Sequence, residues 1–181
     1  IWPCATRFKH DRVFHISSFS KNFGMPGWRV GYCVFPVALL DDMRKVQDTV
    51  PTHTAILSQK LACHALDADN EEAVATGSSW VTKKVQFLQT HRDKFHAVLA
   101  RFGCKKPTGA FYFLLKLPSQ LAEDRAVDVL AREHKVLVMP GTVFGAHGWI
   151  RISYGSLPDE ATLERIGVGL ASLWACVGEH C

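Results

Sequence analysis

Residues 17–32 read SSFSKNFGMPGWRVGY, and the fold is decided by how this stretch is read. Residues 12–18 (RVFHISS) lead into it, rich in β-branched and aromatic side chains, and predict a short strand. Residues 19–28 contain Gly24, Pro26 and Gly27 and predict a loop. Residues 29–35 (RVGYCVF) are nearly continuously apolar, the pattern of a second strand buried on both faces. Lys21 stands at the junction, between Phe19 and Phe23. An amine kept from water there, near the cation of Arg29, is expected to have a lowered pKa. A nucleophile toward a carbonyl needs that.

Downstream, Pro36 suits the first turn of a helix through about Val50, and a second helix is expected over 54–66. The acidic segment Asp67-Ala68-Asp69-Asn70 reads as a helix start or linker, so the domain boundary is placed near residue 70. Residues 1–70 form one part and residues 71–181 the other. A long helix is expected to about Phe102, with a bend at Gly77-Ser78-Ser79 and a stop at Gly103. Its residues Val81, Val85, Leu88, Phe95, Val98, Leu99 and Phe102 keep three-to-four spacing. Then follow a strand (110–117), a helix (123–134), strands (136–139 and 149–154) and a final helix (159–174) behind Pro158 and Asp159. This order is α/β followed by α+β.

Composition narrows the possibilities. The chain has 181 residues, 48% hydrophobic and 21% charged, which excludes disorder and coiled coil. A net charge of +4 without a dense basic run gives no support for nucleic acid as a partner. The longest apolar stretch, residues 32–40, is broken by Pro36 and falls short of the ~20 residues of a membrane helix, so no membrane partner is expected. The six cysteines contain no Cys-x-x-Cys pair and are read as free thiols. The nine histidines contain no His-x-x-x-His pair, so no metal site is expected. The chain opens Ile-Trp-Pro, without an initiator Met or a basic leader, which predicts a piece of a longer protein.

Ser18-Phe19-Ser20-Lys21 is formally Ser-x-x-Lys, an acylation motif. Its companion elements are only near misses, and Gly24, Pro26 and Gly27 oppose the helix that should follow, so that reading is rejected. The whole stretch instead resembles the lysine region of class I aminotransferases, fold type I pyridoxal-phosphate enzymes, with the pattern Ser-x-Ser-Lys-x-Phe-x-Met-x-Gly-Trp-Arg-x-Gly-Tyr matched without a gap.

Further stretches resemble the same family. Residues 138–155 (VMPGTVFGAHGWIRISYG) are similar to its Pro-Gly-x-x-Phe-Gly loop and the Arg-bearing strand that follows. Alternation there sends Ile150, Ile152 and Tyr154 one way, and Trp149, Arg151 and Ser153 the other. Residues 107–113 (PTGAFYF) are similar to the start of a small-domain strand. His91-Arg92-Asp93 is read as a solvated or ion-paired helix face, and residues 51–54 lie where family members reach toward a neighbouring subunit's cofactor phosphate.

The resemblance implies the C-terminal part of the fold type I architecture: the end of the large α/β domain, then an α+β small domain. It implies pyridoxal 5'-phosphate as cofactor, held as a Schiff base on Lys21, with Ser18 and Arg29 on its phosphate. Arg151 would take the substrate α-carboxylate, where a planar fork serves better than an ammonium. Amino acid and 2-oxo acid substrates, a homodimer and a cytoplasmic location are the matching expectations. The acidic and tyrosine partners of the cofactor ring are expected upstream of Ile1, so these 181 residues alone are expected to be inactive. Three other readings stay open: a C–S lyase of the same fold, a non-catalytic aminotransferase-like module, and a short product used for subunit interaction.

Overall fold

The structure, a computed structural model, describes residues 12–155 and 159–178. The chain divides between Lys84 and Val85 into two compact units. Cys4, Pro158 and Cys181 lie outside the described residues.

In the first unit, β1 (His15–Ser18) and β2 (Gly31–Val34) form an antiparallel ribbon with Ser18 opposite Gly31. Between them run a single helical turn, α1 (Phe19–Asn22), and a 3-10 turn over Pro26–Trp28. After a second 3-10 turn come α2 (Leu40–Thr49) and α3 (Ile56–Thr76). The core is small: Phe19, Met25, Val30 and Ala62, with Phe23, Leu61 and Ala65 against it. The expectation that the second strand is covered on both faces is not met: Tyr32 and Val34 are exposed, as is Ile16 beside them. Two-faced burial needs a layer on each side, and the described residues give this ribbon only that small cluster.

The acidic segment 67–70 does not end a helix but lies inside α3. The break comes at Gly77, in the left-handed region with φ 74°, where glycine carries no steric cost. Asp69 does act as a cap, but for the next helix, α4 (Trp80–Leu99): its carboxylate accepts from Val81 N–H at 2.9 Å. Lys83 pairs with Glu72 at 2.6 Å across the same corner.

In the second unit the sheet order is β3 (Tyr112–Lys116), β5 (Trp149–Ser153), β4 (Met139–Pro140), antiparallel throughout. Phe113, Leu115, Ile150 and Ile152 form one face. They pack with Phe95 and Leu99 of α4, Ala126 and Leu130 of α5 (Glu123–Arg132), and Ile166, Leu170 and Leu173 of α6 (Glu160–Gly178). Two helices approach closely at Gly169, where a Cβ would stand 2.8 Å from Leu130 Cδ2. Asp159 caps α6, accepting from Thr162 N–H at 2.7 Å, and those hydrogen bonds hold its carboxyl below the usual range. Among the described residues no helix is long and apolar enough to cross a membrane.

Candidate functional site

The lysine turn is built by its two phenylalanines. Ser18 ends β1 in extended conformation and caps α1, its Oγ accepting from Ser20 N–H at 3.1 Å. Phe19 is 3% exposed and packs on Phe23 with ring centroids 5.0 Å apart. Phe19 N–H donates to Val30 O at 3.3 Å, and Met25 N–H to Phe19 O at 3.2 Å, so the turn is tied to the start of β2. Lys21 is therefore exposed, not desolvated between the two rings as its neighbours in sequence suggest. In one helical turn residues 19 and 23 share the inner face, and residue 21 points the opposite way.

Arg29 sits in the left-handed region at φ 51°, a costly conformation for a residue with a Cβ. Its Nη1 donates to Pro26 O at 2.9 Å, and among the described residues no carboxylate pairs with it. A hollow of about 420 Å³ opens beside it, lined also by Trp28, His53, Thr54 and Ser58. Ser18 and Lys21 do not line that hollow. A guanidinium with donors left over after its bond to Pro26, a hydroxyl that still has its proton to give, and an exposed amine have the donor chemistry for a phosphate and an aldehyde, although no one hollow gathers all three. These residues fit pyridoxal phosphate.

In the second unit, Arg151 lies on the sheet face turned away from the core, as the alternation predicts, opposite Leu114 and Met139. It is half-buried, with Phe144 (4.8 Å) and Tyr112 (5.2 Å) as ring neighbours measured from Cζ to the centroids. Its Nη2 lies 2.7 Å from Met139 Sδ, a weak acceptor, and its buried Nε–H has no partner. Among the described residues no carboxylate neutralises it. A half-buried guanidinium with unspent donors has the chemistry to take an anion.

Two neighbouring motifs have structural roles. The Tyr154 hydroxyl donates to Ala110 O at 2.8 Å and pins that residue at φ 63°, while burial raises the phenol's pKa. On α4, Asp93 pairs with Lys106 (2.7 Å) and Arg92 (3.1 Å), which lower its pKa; His91, expected to be solvated, is buried against Phe87. Sequence reasoning misses Glu123, and it meets Phe144 and Tyr112 only as members of the 138–155 and 107–113 stretches, without pairing them with Arg151. The two rings carry a readable signal only in part: Tyr112 shares a strand face with Leu114, the cross-strand neighbour of Arg151.

Comparison with known proteins gives a consistent picture. The family described as aminotransferase class I and II matches residues 4–167. The chain is 35% identical over 173 residues to aromatic aminotransferase ISS1 of Arabidopsis thaliana, covering 90% of this chain and 42% of that protein. It is 29% identical over 164 residues to the probable aspartate/prephenate aminotransferase of Rickettsia felis, covering 83% and 38%. A solved Thermus thermophilus aspartate aminotransferase superimposes with TM-score 0.74 at 31% identity, over 90% of this chain and 45% of that one. The chain thus spans about two fifths of the length of the relatives it matches. Its architecture is that of the C-terminal part of a fold type I aminotransferase, and the chain belongs to the class I and II aminotransferase family.

Proposed function

We propose that the protein bearing this chain transfers an amino group between an amino acid and a 2-oxo acid with pyridoxal 5'-phosphate. One observation carries the reading: in a chain of this family, Arg151 is half-buried against two aromatic rings with no paired carboxylate among the described residues. That is a receptor for the one group both substrates share.

Arg29 offers its fork to the cofactor phosphate, and Ser18 keeps its hydroxyl proton for a phosphate oxygen because its Oγ only accepts from the backbone. When bound, the cofactor supplies an aldehyde for amine exchange and a conjugated ring that accepts the electron pair left at the substrate Cα. Lys21 Nζ would be the nucleophile toward that aldehyde and the base that takes the proton from the substrate Cα and delivers it to the former aldehyde carbon, so that the amino group stays behind and the 2-oxo acid leaves. Arg151 fixes the carboxylate end and so restricts the directions the Cα–H bond can take. The working form is a homodimer on this reading.

The test uses protein expressed from the complete gene. With pyridoxal phosphate it should show a visible absorption band that borohydride bleaches, and peptide mapping should find the reduced adduct on Lys21. Lys21→Ala should lose both the band and amino transfer. Trapping on another lysine would overturn the assignment. Ammonia release that needs no 2-oxo acid acceptor would overturn transfer in favour of a lyase.

A further inference from the structure

Arg151 has no counter-ion among the described residues, yet it is held in place. The loop between β4 and β5 supplies part of the answer. Its 3-10 turn, Gly141–Phe144, carries Phe144 to within 4.8 Å of the guanidinium. The loop closes on itself: Ala146 N–H donates to Gly141 O at 2.9 Å and Gly145 N–H to Thr142 O at 3.0 Å. Gly141 admits no Cβ, because the carbonyls of Ala146 and Trp149 occupy that space. Glu123, in the first turn of α5, grips both ends of this closed ring. Its Oε2 accepts from Thr142 N–H at 3.0 Å, and its Oε1 from Gly148 N–H. Gly148 in turn accepts from Leu117 N–H at 2.8 Å, which fixes the far end against β3. Trp149 then opens β5, and Arg151 follows two residues later.

We propose that Glu123, acting through the loop and Phe144, is a positioning residue that holds the Arg151 guanidinium in place with its donors available for a carboxylate, the aromatic rings standing where a counter-ion would. The inference rests on the reading of Arg151 as the carboxylate receptor. A ring face attracts a cation without taking its hydrogen-bond donors, so the fork stays available. A carboxylate of the protein in the same place would compete with the substrate. Tyr112, on the neighbouring strand, supports the second ring contact from the sheet itself. Only the Phe144 contact depends on a loop, and that loop is tied at both ends to one side chain.

The experiment compares Glu123→Ala, Phe144→Leu and Phe144→Tyr with Arg151→Lys in protein expressed from the complete gene and loaded with pyridoxal phosphate. KM for the amino acid that the unmodified protein turns over best is read together with competitive inhibition by propionate, a carboxylate lacking the amino group. Phe144→Leu and Glu123→Ala should raise both constants about fivefold, with kcat held within about twofold. Phe144→Tyr should restore both, because it returns a ring, whereas leucine only fills space. Loss of kcat with unchanged KM, or leucine performing as well as tyrosine, would overturn the proposal. Should Glu123→Ala fail to fold, Glu123→Gln, which keeps one of the two acceptor oxygens, takes its place and should raise both constants about twofold, unchanged constants overturning the role of Glu123. If Arg151→Lys leaves both constants unchanged, the carboxylate reading itself fails. If Arg151→Lys weakens them and the other variants do not, only the positioning role fails.

Discussion

Among the described residues, the two sheets differ in how far their apolar side chains are covered. The ribbon's strands read HISS and GYCV, with Ile16, Tyr32 and Val34 as their large apolar side chains, whereas β3 and β5 read YFLLK and WIRIS. In the second, helices close over one face, and Phe113 and Ile150 are fully buried. In the first, Ile16 is 80% and Val34 58% exposed. An isoleucine that is exposed at position 16 and fully buried at position 150 shows that what covers the strand decides its burial.

The sharpest way to break that contrast is a pair of truncations. Phe113→Ala should cost about 3–5 kcal/mol of unfolding free energy, because it empties a site packed on all sides. Ile16→Ala should cost no more than about 0.5 kcal/mol. Denaturant titration of each variant reads both; equal losses would mean that the ribbon's exposed face is covered in solution. A smaller effect is expected at the helix corner of the first unit. Asp69→Ala removes the acceptor for Val81 N–H and should cost about 1 kcal/mol, with Asp69→Asn largely restoring it. An alanine variant as stable as its parent would show that the corner needs no cap.

The mildest probe is acid. Hydrogen bonds from Thr142 and Gly148 hold the Glu123 carboxyl below its ordinary value of 4.5. A lowered folded value means that this contribution is present above the ordinary carboxylate range. It is lost as pH falls through that range and through the depressed value itself. The Thr142 and Gly148 amide resonances should therefore titrate with a midpoint below 4.5. A midpoint at or above it would mean that the carboxylate does not hold the loop.

Much of the second unit was legible because its signals are local and periodic. Strict alternation placed Arg151 opposite Ile150 and Ile152, three-to-four spacing found Phe95 and Leu99, and Gly103 ends the helical run at φ 76°. Two of the failures come from a cue acting at a distance. Asp69 looks like a start signal, but it serves a helix whose first turn lies twelve residues on. Glu123 reaches loop residues 19 and 25 positions away, which no spacing rule connects. The sequence neighbours of Lys21 suggest burial, yet one turn of helix puts alternate residues on opposite sides. The division at Lys84 falls inside a continuous helix, where composition leaves no mark.

The left-handed backbone of Arg29 carries a cost that selection for robustness alone would remove. Asparagine or glycine would sit there with less strain, and neither could offer a cationic fork. Should Arg29→Asn prove more heat-resistant than its parent while losing grip on phosphate, this position would be a place where the chain trades durability for its chemistry.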